Sequence, residues 1–313
     1  MKIFSLRYLI ILLASFLFLM PGCDLINEDM DDCSVFLVVT PYLQTPCMEK
    51  ASYPTDVDLL HITLSDAEGK VVAHQVFANA VLSAESQFIL EVPADNYKGG
   101  TYLCTVWGGA VDKDYLLSRA LERGVSVKDI KLALKTENAE VRSYIFHTLY
   151  QAVKEVKLRS KDELDGIDKV YVAPNLRPYT YDFNVTVRGL SAELPAEVAI
   201  TDNNVAYAYT GELFTPTEAV SYVAALPNTE NTRSVHLRTL DITPKTTDPR
   251  LKLINKRSGT TLLDFSLKAL LAKLPDYKPL CKFEYDIDIE FHTSISVVIS
   301  IDGMPVHSYD IEL

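Results

Sequence analysis

The sequence of 313 residues has few glycines and prolines, 12 and 15 respectively. These numbers exclude a collagen-like or low-complexity chain. The chain also has only five cysteines, and no two of them form a CxxC pair. A thioredoxin-like redox centre or a zinc site built on paired cysteines therefore has no support. Hydrophobic residues make up 48% of the chain, which is enough for substantial buried cores.

The usual catalytic signatures are missing as well. The sequence contains no HExxH, GxSxG, GxGxxG or P-loop pattern. Its histidines are scattered, and only His61 and His74, on the two arms of one predicted hairpin, could approach each other. Two imidazoles without a third ligand are weak evidence for a metal site. We therefore expect no catalytic residue, no cofactor and no metal, and a protein that is not an enzyme.

Basic charge is scarce relative to acidic charge. The chain carries 30 Lys and Arg against 42 Asp and Glu, a net charge of −12. Loss of residues 1–22, which contain Lys2 and Arg7 and no acidic residue, would leave −14. Such a surface repels phosphate backbones, so nucleic acid is not an expected partner. It repels anionic headgroups too, so membrane attachment would require a lipid.

One long apolar run is present, at the amino terminus. Residues 8–20 are almost wholly apolar, follow a basic start, and precede Gly22 and Cys23. This order predicts a lipoprotein signal peptide at 1–22, with cleavage leaving Cys23 for lipid attachment. The alternatives are a plain signal peptide and a spanning helix. The apolar run spans only about 20 Å of a ~30 Å hydrocarbon core, so a spanning helix is disfavoured.

The remaining chain consists mainly of short β-type runs separated by turn residues. These runs are 34–42, 57–65, 70–77, 88–92, 101–107, 170–173, 181–188, 197–201, 220–226, 234–242, 251–255, 282–292 and 295–313. Asp66-Ala67-Glu68-Gly69 and Asp302-Gly303 are predicted turns. Ser126–Asp129 predicts a short helix or helical loop, and Ser266–Leu274 a capped amphipathic helix. Many strands and few helices predict an all-β fold of two β-sandwiches in tandem.

Charge composition suggests where the chain divides. Residues 23–32 hold five acidic groups and no basic one, which is typical of a solvated tether. A mostly charged stretch at 157–169 separates the two sets of strands. The predicted divisions are therefore a signal peptide at 1–22, an acidic tether at 23–32, an amino-terminal sandwich at 33–157 and a carboxyl-terminal sandwich at 158–313.

Four cysteines remain after Cys23: Cys33, Cys47, Cys104 and Cys281. An even number in an exported protein permits disulfides, and buried free thiols are the alternative. A Cys33–Cys47 bond is awkward. The predicted strand 34–42 carries the chain out about 30 Å, and residues 43–47 return only about 17 Å. The sequence leaves the pairing open.

Two side-chain patterns are candidate binding surfaces. Alternating carboxylates are predicted to form an acidic row on one face of a strand; they are Glu284, Asp286, Asp288 and Glu290. The row could be a cation site or a docking face for a basic partner, but the solvent-facing side of a half-buried strand is the favoured interpretation. Tyrosines could form a ligand platform or could pack in cores and rims; they are Tyr171, Tyr179, Tyr181, Tyr207 and Tyr209. The single tryptophan, Trp107, favours core packing over ligand stacking.

Several short motifs follow one another in a characteristic order along the chain. They are Asp32-Cys33-Ser34 before a strand ending at Pro41-Tyr42, Tyr102 to Trp107-Gly108-Gly109, Arg238-Thr239-Leu240, Gly259-Thr260-Thr261 before the Leu-rich segment 266–274, Tyr285-Asp286-Ile287, and Ile299-Ser300-Ile301-Asp302-Gly303. Together with Cys23 and the acidic residues after it, these motifs give a chain that resembles the fimbrium anchoring and assembly lipoproteins of Bacteroidota, the FimB-type anchor family.

This resemblance implies two transthyretin-like β-sandwich domains. It also implies an outer-membrane lipoprotein, lipidated at Cys23 and exposed at the cell surface, that anchors or assembles a fimbrium. Its partners would be fimbrial structural subunits, joined by donor strands that complete a neighbour's sheet. The competing hypothesis is a surface lipoprotein that acts as a binding module and captures a glycan or a host protein.

Arginine is absent from Cys23 to Ser118, and Arg119 is the first of the mature chain. In stalk subunits of the resembled systems, an arginine-specific protease removes an amino-terminal strand. The strand predicted at 34–42 has no upstream or adjacent arginine for such cleavage. We therefore hypothesise that this strand stays covalently tied to the lipid.

We expect protein purified from cells to begin at Cys23. Signal cleavage leaves Cys23 as the first residue, and no arginine is present for a second cut that would remove the first strand. Amino-terminal sequencing or intact mass measurement of the purified protein checks this expectation. An amino terminus near residue 45–55 would overturn it.

Overall fold

The structure, a computed structural model, describes residues 34–93, 98–142, 146–160, 163, 168–214, 219–227, 231–292 and 296–310. The predicted signal peptide, Cys23, the acidic tether and Cys33 lie outside these residues. Strands dominate the described chain, and the predicted all-β class is confirmed.

Strands of the first half begin directly at the start of the described chain. In chain order they are β1 (Val35–Val39), β2 (Tyr42–Leu43), β3 (Leu59–Ser65), β4 (Val71–Ala78), β5 (Phe88–Val92), β6 (Gly100–Gly108), β7 (Tyr115–Leu117), β8 (Lys131–Leu134), β9 (Glu140–Arg142), β10 (Tyr150–Leu158), β11 (Asp168–Val172) and β12 (Asn175–Pro178).

The second half continues with further strands and a short α-helix. They are β13 (Thr180–Arg188), β14 (Ala196–Asp202), β15 (Ala206–Ala208), β16 (Leu213–Phe214), β17 (Val220–Ala225), β18 (Thr232–Leu240), β19 (Arg250–Asn255), β20 (Thr261–Ser266), α1 (Leu267–Leu271), β21 (Glu284–His292), β22 (Ser296–Ile301) and β23 (Met304–Asp310).

Local turn chemistry is confirmed at both predicted hairpins. β3 and β4 pair antiparallel across Asp66–Gly69. β22 and β23 pair across Asp302-Gly303, where both residues have positive φ angles, 51° and 76°. Positive φ at both central residues is the requirement of a type I′ hairpin turn.

The two helical predictions are only partly correct. Ser126 caps a three-residue 3-10 helix at Val127–Asp129, but the next residues form β8. The apolar positions Ile130, Leu132 and Leu134 are spaced by two, so they fit a half-buried strand better than a helix. The second helix is capped by Ser266 as predicted, yet α1 ends at Leu271.

Two buried cores hold the sheets together. The amino-terminal core lies between a three-stranded sheet of order β11-β1-β5 and a six-stranded sheet of order β2-β12-β10-β6-β3-β4. The carboxyl-terminal core lies between two five-stranded sheets, β18-β13-β21-β22-β23 and β20-β19-β14-β17-β9. It extends to a four-stranded sheet, β16-β15-β8-β7, and includes Trp107. Apolar side chains facing each other across paired sheets make this a sandwich-like arrangement.

Strand pairing crosses the predicted boundary after residue 157 in both directions. β11 and β12 follow the boundary but pair with β1, β2 and β10. β8 and β9 precede it but pair with β15 and β17. Neither half of the chain therefore contains all the strands of its own sheets. The division at 33–157 and 158–313 stays a prediction.

We expect Leu37→Ala to lower the free energy of unfolding by about 3 kcal/mol, because it leaves a cavity in the amino-terminal core. Leu37 is fully buried at the centre of β1. Chemical denaturation followed by far-UV circular dichroism measures the change. Ile89→Ala is the matched control: Ile89 lies on β5 and is 46% exposed, so its loss should stay under about 1 kcal/mol. Equal losses at both positions would contradict the burial of β1.

Candidate anchoring and interaction sites

The first candidate site is the segment that follows the predicted lipid. Residues 35–43, which we call the amino-terminal strand unit, run parallel to residues 168–176 in one continuous register, from Val35 opposite Asp168 to Leu43 opposite Leu176. Between the two strands of the unit, the Thr40 N–H donates to the Val172 carbonyl at 2.9 Å. The unit is therefore one long parallel strand pairing that passes from the three-stranded sheet to the six-stranded sheet.

This unit is built into the core at its amino-terminal end. β1 lies between β11 and β5 and pairs with both along its whole length. Its inward side chains Val35, Leu37 and Val39 are fully buried. Removal of β1 would expose their apolar partners and two unpaired strand edges. The hypothesis that this strand is retained stays a prediction, and this packing is consistent with it.

A disulfide joins the end of this segment to the far part of the chain. Cys47 bonds to Cys281 with 5.4 Å between their Cα atoms and 234 residues of sequence separation. Cys104 is a buried free thiol whose pKa burial raises to about 12. Both alternatives that the sequence left open are therefore realised, at different cysteines. Sequence spacing gave no signal for the pairing, because the two partners meet only through the tertiary fold.

A cleft of about 530 Å³ opens beside this disulfide. It is lined by residues of the 44–48 loop, β12 and the approach to β21, which are Gln44, Thr45, Pro46, Met48, Asn175, Leu176, Arg177, Pro178, Leu280 and Phe283. Asn175 fixes the loop by accepting from the Gln44 N–H at 2.8 Å and donating to the Gln44 carbonyl at 2.9 Å. Arg177 forms an ion pair with the buried Asp241. The cleft therefore lies where both halves of the chain are tied together.

The junction between the two cores is polar in a specific way. The Trp107 indole N–H donates to the Tyr209 carbonyl at 2.8 Å, and the Thr63 and Tyr209 hydroxyls share a hydrogen bond at 2.8 Å. The Tyr179 hydroxyl donates to the Gly211 carbonyl at 3.1 Å. Gly211 has a positive φ, and a Cβ there would lie 2.9 Å from Gln151 and the Tyr179 hydroxyl. The turn around 208–211 therefore needs glycine to approach the six-stranded sheet.

Burial decides the role of the tyrosines proposed as a ligand platform. Four of the five, Tyr179, Tyr181, Tyr207 and Tyr209, are at most 6% exposed. Tyr171 alone is open to solvent, at 69%. Trp107 is fully buried and packs against Tyr179 and Tyr207. The four buried tyrosines and Trp107 form the junction and its neighbouring core, so they do not act as a ligand platform.

The acidic row on β21 faces away from the core. Tyr285, Ile287 and Ile289 are buried, while the carboxylates between them contact polar groups of β13. Asn184 donates to both Glu284 and Asp286, at 3.1 and 2.9 Å, and Arg188 pairs with Asp288 at 2.9 Å. The row is the solvent-facing side of a half-buried strand with cross-strand partners.

His61 and His74 do meet, as their place on one hairpin predicted. Their ring nitrogens Nδ1 and Nε2 lie 3.4 Å apart. Within the described ranges, no group of three His, Cys, Asp or Glu side chains is placed to hold a metal ion. Burial lowers the pKa of both rings, and for His74 burial and the neighbouring His61 lower it to about 4. The pair is therefore a neutral hydrogen-bonded contact between β3 and β4 at physiological pH.

Sequence reasoning missed a second histidine contact, three residues before β10 begins. His147 Nδ1 lies 2.5 Å from Asp114 Oδ2, and the His147 backbone N–H donates to the same oxygen at 2.6 Å. Asp114 is fully buried.

Across the part of the chain that the structure describes, no helix is long and apolar enough to cross a bilayer.

Comparison with known proteins gives one family and several relatives. The profile of the family described as "Mfa2: Fimbrillin-A associated anchor proteins Mfa1 and Mfa2" matches residues 30–309. The chain is 28% identical to the minor fimbrium anchoring subunit Mfa2 of Porphyromonas gingivalis, over 100% of this chain and 99% of the relative.

Solved structures share the fold. The fimbrial anchor protein Mfa2 from Porphyromonas gingivalis matches with a TM-score of 0.76 and 23% identity, over 88% of this chain and 100% of that chain. A DUF1812 protein from Bacteroides thetaiotaomicron matches with a TM-score of 0.68 and 19% identity, over 90% of this chain and 99% of that chain.

We expect the histidine pair to make stability depend on pH. The pKa of His74 in the folded protein, about 4, lies below the value near 6.5 expected when unfolded. The unfolded state therefore gains the proton first, and stability is lost as the pH falls from about 6.5 towards 4. His74→Gln should lose about 2 kcal/mol less than the parent between pH 7 and 4.5, measured by urea denaturation at each pH. A parental slope in His74→Gln would contradict the assignment.

Proposed function

Because this chain belongs to the family of fimbrillin-A associated anchor proteins Mfa1 and Mfa2, we propose that it anchors a fimbrium in the outer membrane as a surface-exposed lipoprotein. The family match over residues 30–309 carries this conclusion. The role is mechanical: one end of the protein holds the membrane, and its folded body holds a fimbrial structural subunit.

Cys23 is the proposed point of attachment to the membrane. Residues 8–20 and Gly22 form the predicted signal and cleavage context, and acyl chains attached to Cys23 would contribute about 0.8 kcal/mol per buried methylene. Eleven residues, 24–34, lie between Cys23 and Val35, so the lipid and β1 lie within roughly 40 Å of each other. The predicted tether between them holds five acidic residues and no basic one, so anionic headgroups repel it.

The fimbrial end of the proposal rests on unpaired sheet edges. A donor strand binds by hydrogen bonding along such an edge, while pockets select its side chains. Among the described strands, β18 pairs within its sheet only with β13, and β23 pairs only with β22, so each leaves an outer edge. Pro305 of β23 lacks an N–H, and the pairing of β23 with β22 has a register shift, both of which blunt an edge. β18 has nine residues and no proline, which makes it the better acceptor, and it lies in the same carboxyl-terminal sheet as β21.

No catalysis is part of the proposed role. The sequence lacks the usual catalytic motifs. Trp107 and four of the five tyrosines considered as a ligand platform are buried. Capture of a glycan or host protein is therefore disfavoured as the main activity.

We expect Cys23→Ala to release fimbriae into the medium, because the anchor then has no lipid. Fimbriae in cell and supernatant fractions are quantified by immunoblotting, and acylation is checked by mass spectrometry of the mature protein. Cys33→Ala is the matched control, since it removes a nearby cysteine and leaves the predicted acylation site. Cell-bound fimbriae in the Cys23→Ala strain would overturn the proposed anchoring.

We also expect the purified protein to retain a β-rich fimbrial subunit in detergent, because donor-strand contacts involve many backbone hydrogen bonds. Affinity purification followed by mass spectrometry identifies the subunit. Recovery of a soluble glycan or host ligand without any fimbrial subunit would instead support the binding-module hypothesis.

A further inference from the structure

The covalent path through an anchor matters because an anchor carries tension. Force on the amino-terminal segment first meets the amino-terminal strand unit, residues 35–43, and then reaches Cys47. At Cys47 the covalent path divides. One branch follows the peptide chain into residue 48 and beyond, and the other crosses the disulfide to Cys281.

The disulfide branch is much the shorter route to the carboxyl-terminal sheet. The sequence separation of 234 means that 233 residues, 48–280, lie between the two cysteines. Those residues include β3 to β20, and hence most of both cores. A load carried across the disulfide therefore reaches β21 without stretching them.

β21 is well placed to receive such a load. It begins at Glu284, three residues after Cys281, and lies in the interior of its sheet. It pairs with β13 over seven register positions and with β22 over six. Ladder hydrogen bonds lie across the strand, so tension along β21 loads many of them together rather than one after another.

We propose that the Cys47–Cys281 disulfide is the tension-bearing link of this protein, passing force from the amino-terminal strand unit to the carboxyl-terminal sheet and keeping residues 48–280 out of the load path. The inference rests on the proposed anchoring function. It adds that the fimbrial load enters the carboxyl-terminal part of the fold. If the amino-terminal strand unit were pulled out, residues 34–46 could extend by at most roughly 45 Å before the disulfide held.

Single-molecule pulling on the full chain, through handles fused at both termini, tests the path directly. The oxidised protein should never release residues 48–280. The Cys47→Ser/Cys281→Ser variant, and the parent treated with a reductant, should each release further contour length of roughly 800 Å. Cys47 is exposed, so the reductant reaches the bond in the folded protein, which covers the case of a variant that folds poorly. Release of the full length by the oxidised protein would overturn the proposal.

Cells under flow test the biological role. Strains carrying Cys47→Ser, Cys281→Ser or both should keep fimbriae in still medium and shed them several-fold faster than the parent under shear. The single and double variants should match, because each removes the same bond. Cys104→Ala is the matched control, since Cys104 is buried and unpaired.

Two results separate the failure of this inference from the failure of the proposed function. Parental retention under shear in all disulfide variants overturns the tension-bearing role alone. Parental retention in still medium after Cys23→Ala overturns the anchoring function itself.

Discussion

The position of β1 between β5 and β11 is the constraint on which the rest of the structure depends. Its inward residues Val35, Leu37 and Val39 are fully buried, and both of its edges are paired. The strand closest to the predicted lipid is therefore part of the core rather than an appendage. Tension on the amino terminus must disrupt two strand ladders and buried apolar contacts before the strand can leave.

The same strand explains why the two halves of the chain interlock. The amino-terminal strand unit requires residues 168–176 as its parallel partner, so a segment from beyond the charged stretch returns to the first half. In the opposite direction, β8 and β9 supply strands to sheets completed by β15 and β17. The junction residues Trp107, Thr63 and Tyr209 are hydrogen-bonded across the contact. An arrangement with shared strands and a hydrogen-bonded junction resists separation of its halves better than two domains joined only by a flexible linker.

Several sequence patterns had their meaning set by the tertiary environment. The tyrosines from Tyr179 to Tyr209 have a composition suited to ligand stacking, yet the same apolar rings fill the junction because two sheets close over them. The acidic row of β21 was interpreted correctly, since alternation with period two assigns one face to solvent wherever the other is buried. The short helix predicted at Ser126–Asp129 ends at Asp129, and β8 follows because Ile130, Leu132 and Leu134 are spaced by two and β15 pairs with β8.

The sequence by itself determined the all-β class, most strand positions, both hairpin turns and the family resemblance, because period-two patterns, turn residues and ordered motifs are local. It also supplied the predicted lipid site, which is a linear signal. Only the tertiary structure decided the parallel pairing of residues 35–43 with 168–176, the Cys47–Cys281 bond and the burial of the aromatic junction. Each of these joins residues far apart in sequence, and their meeting depends on how the sheets pack, which no local pattern encodes.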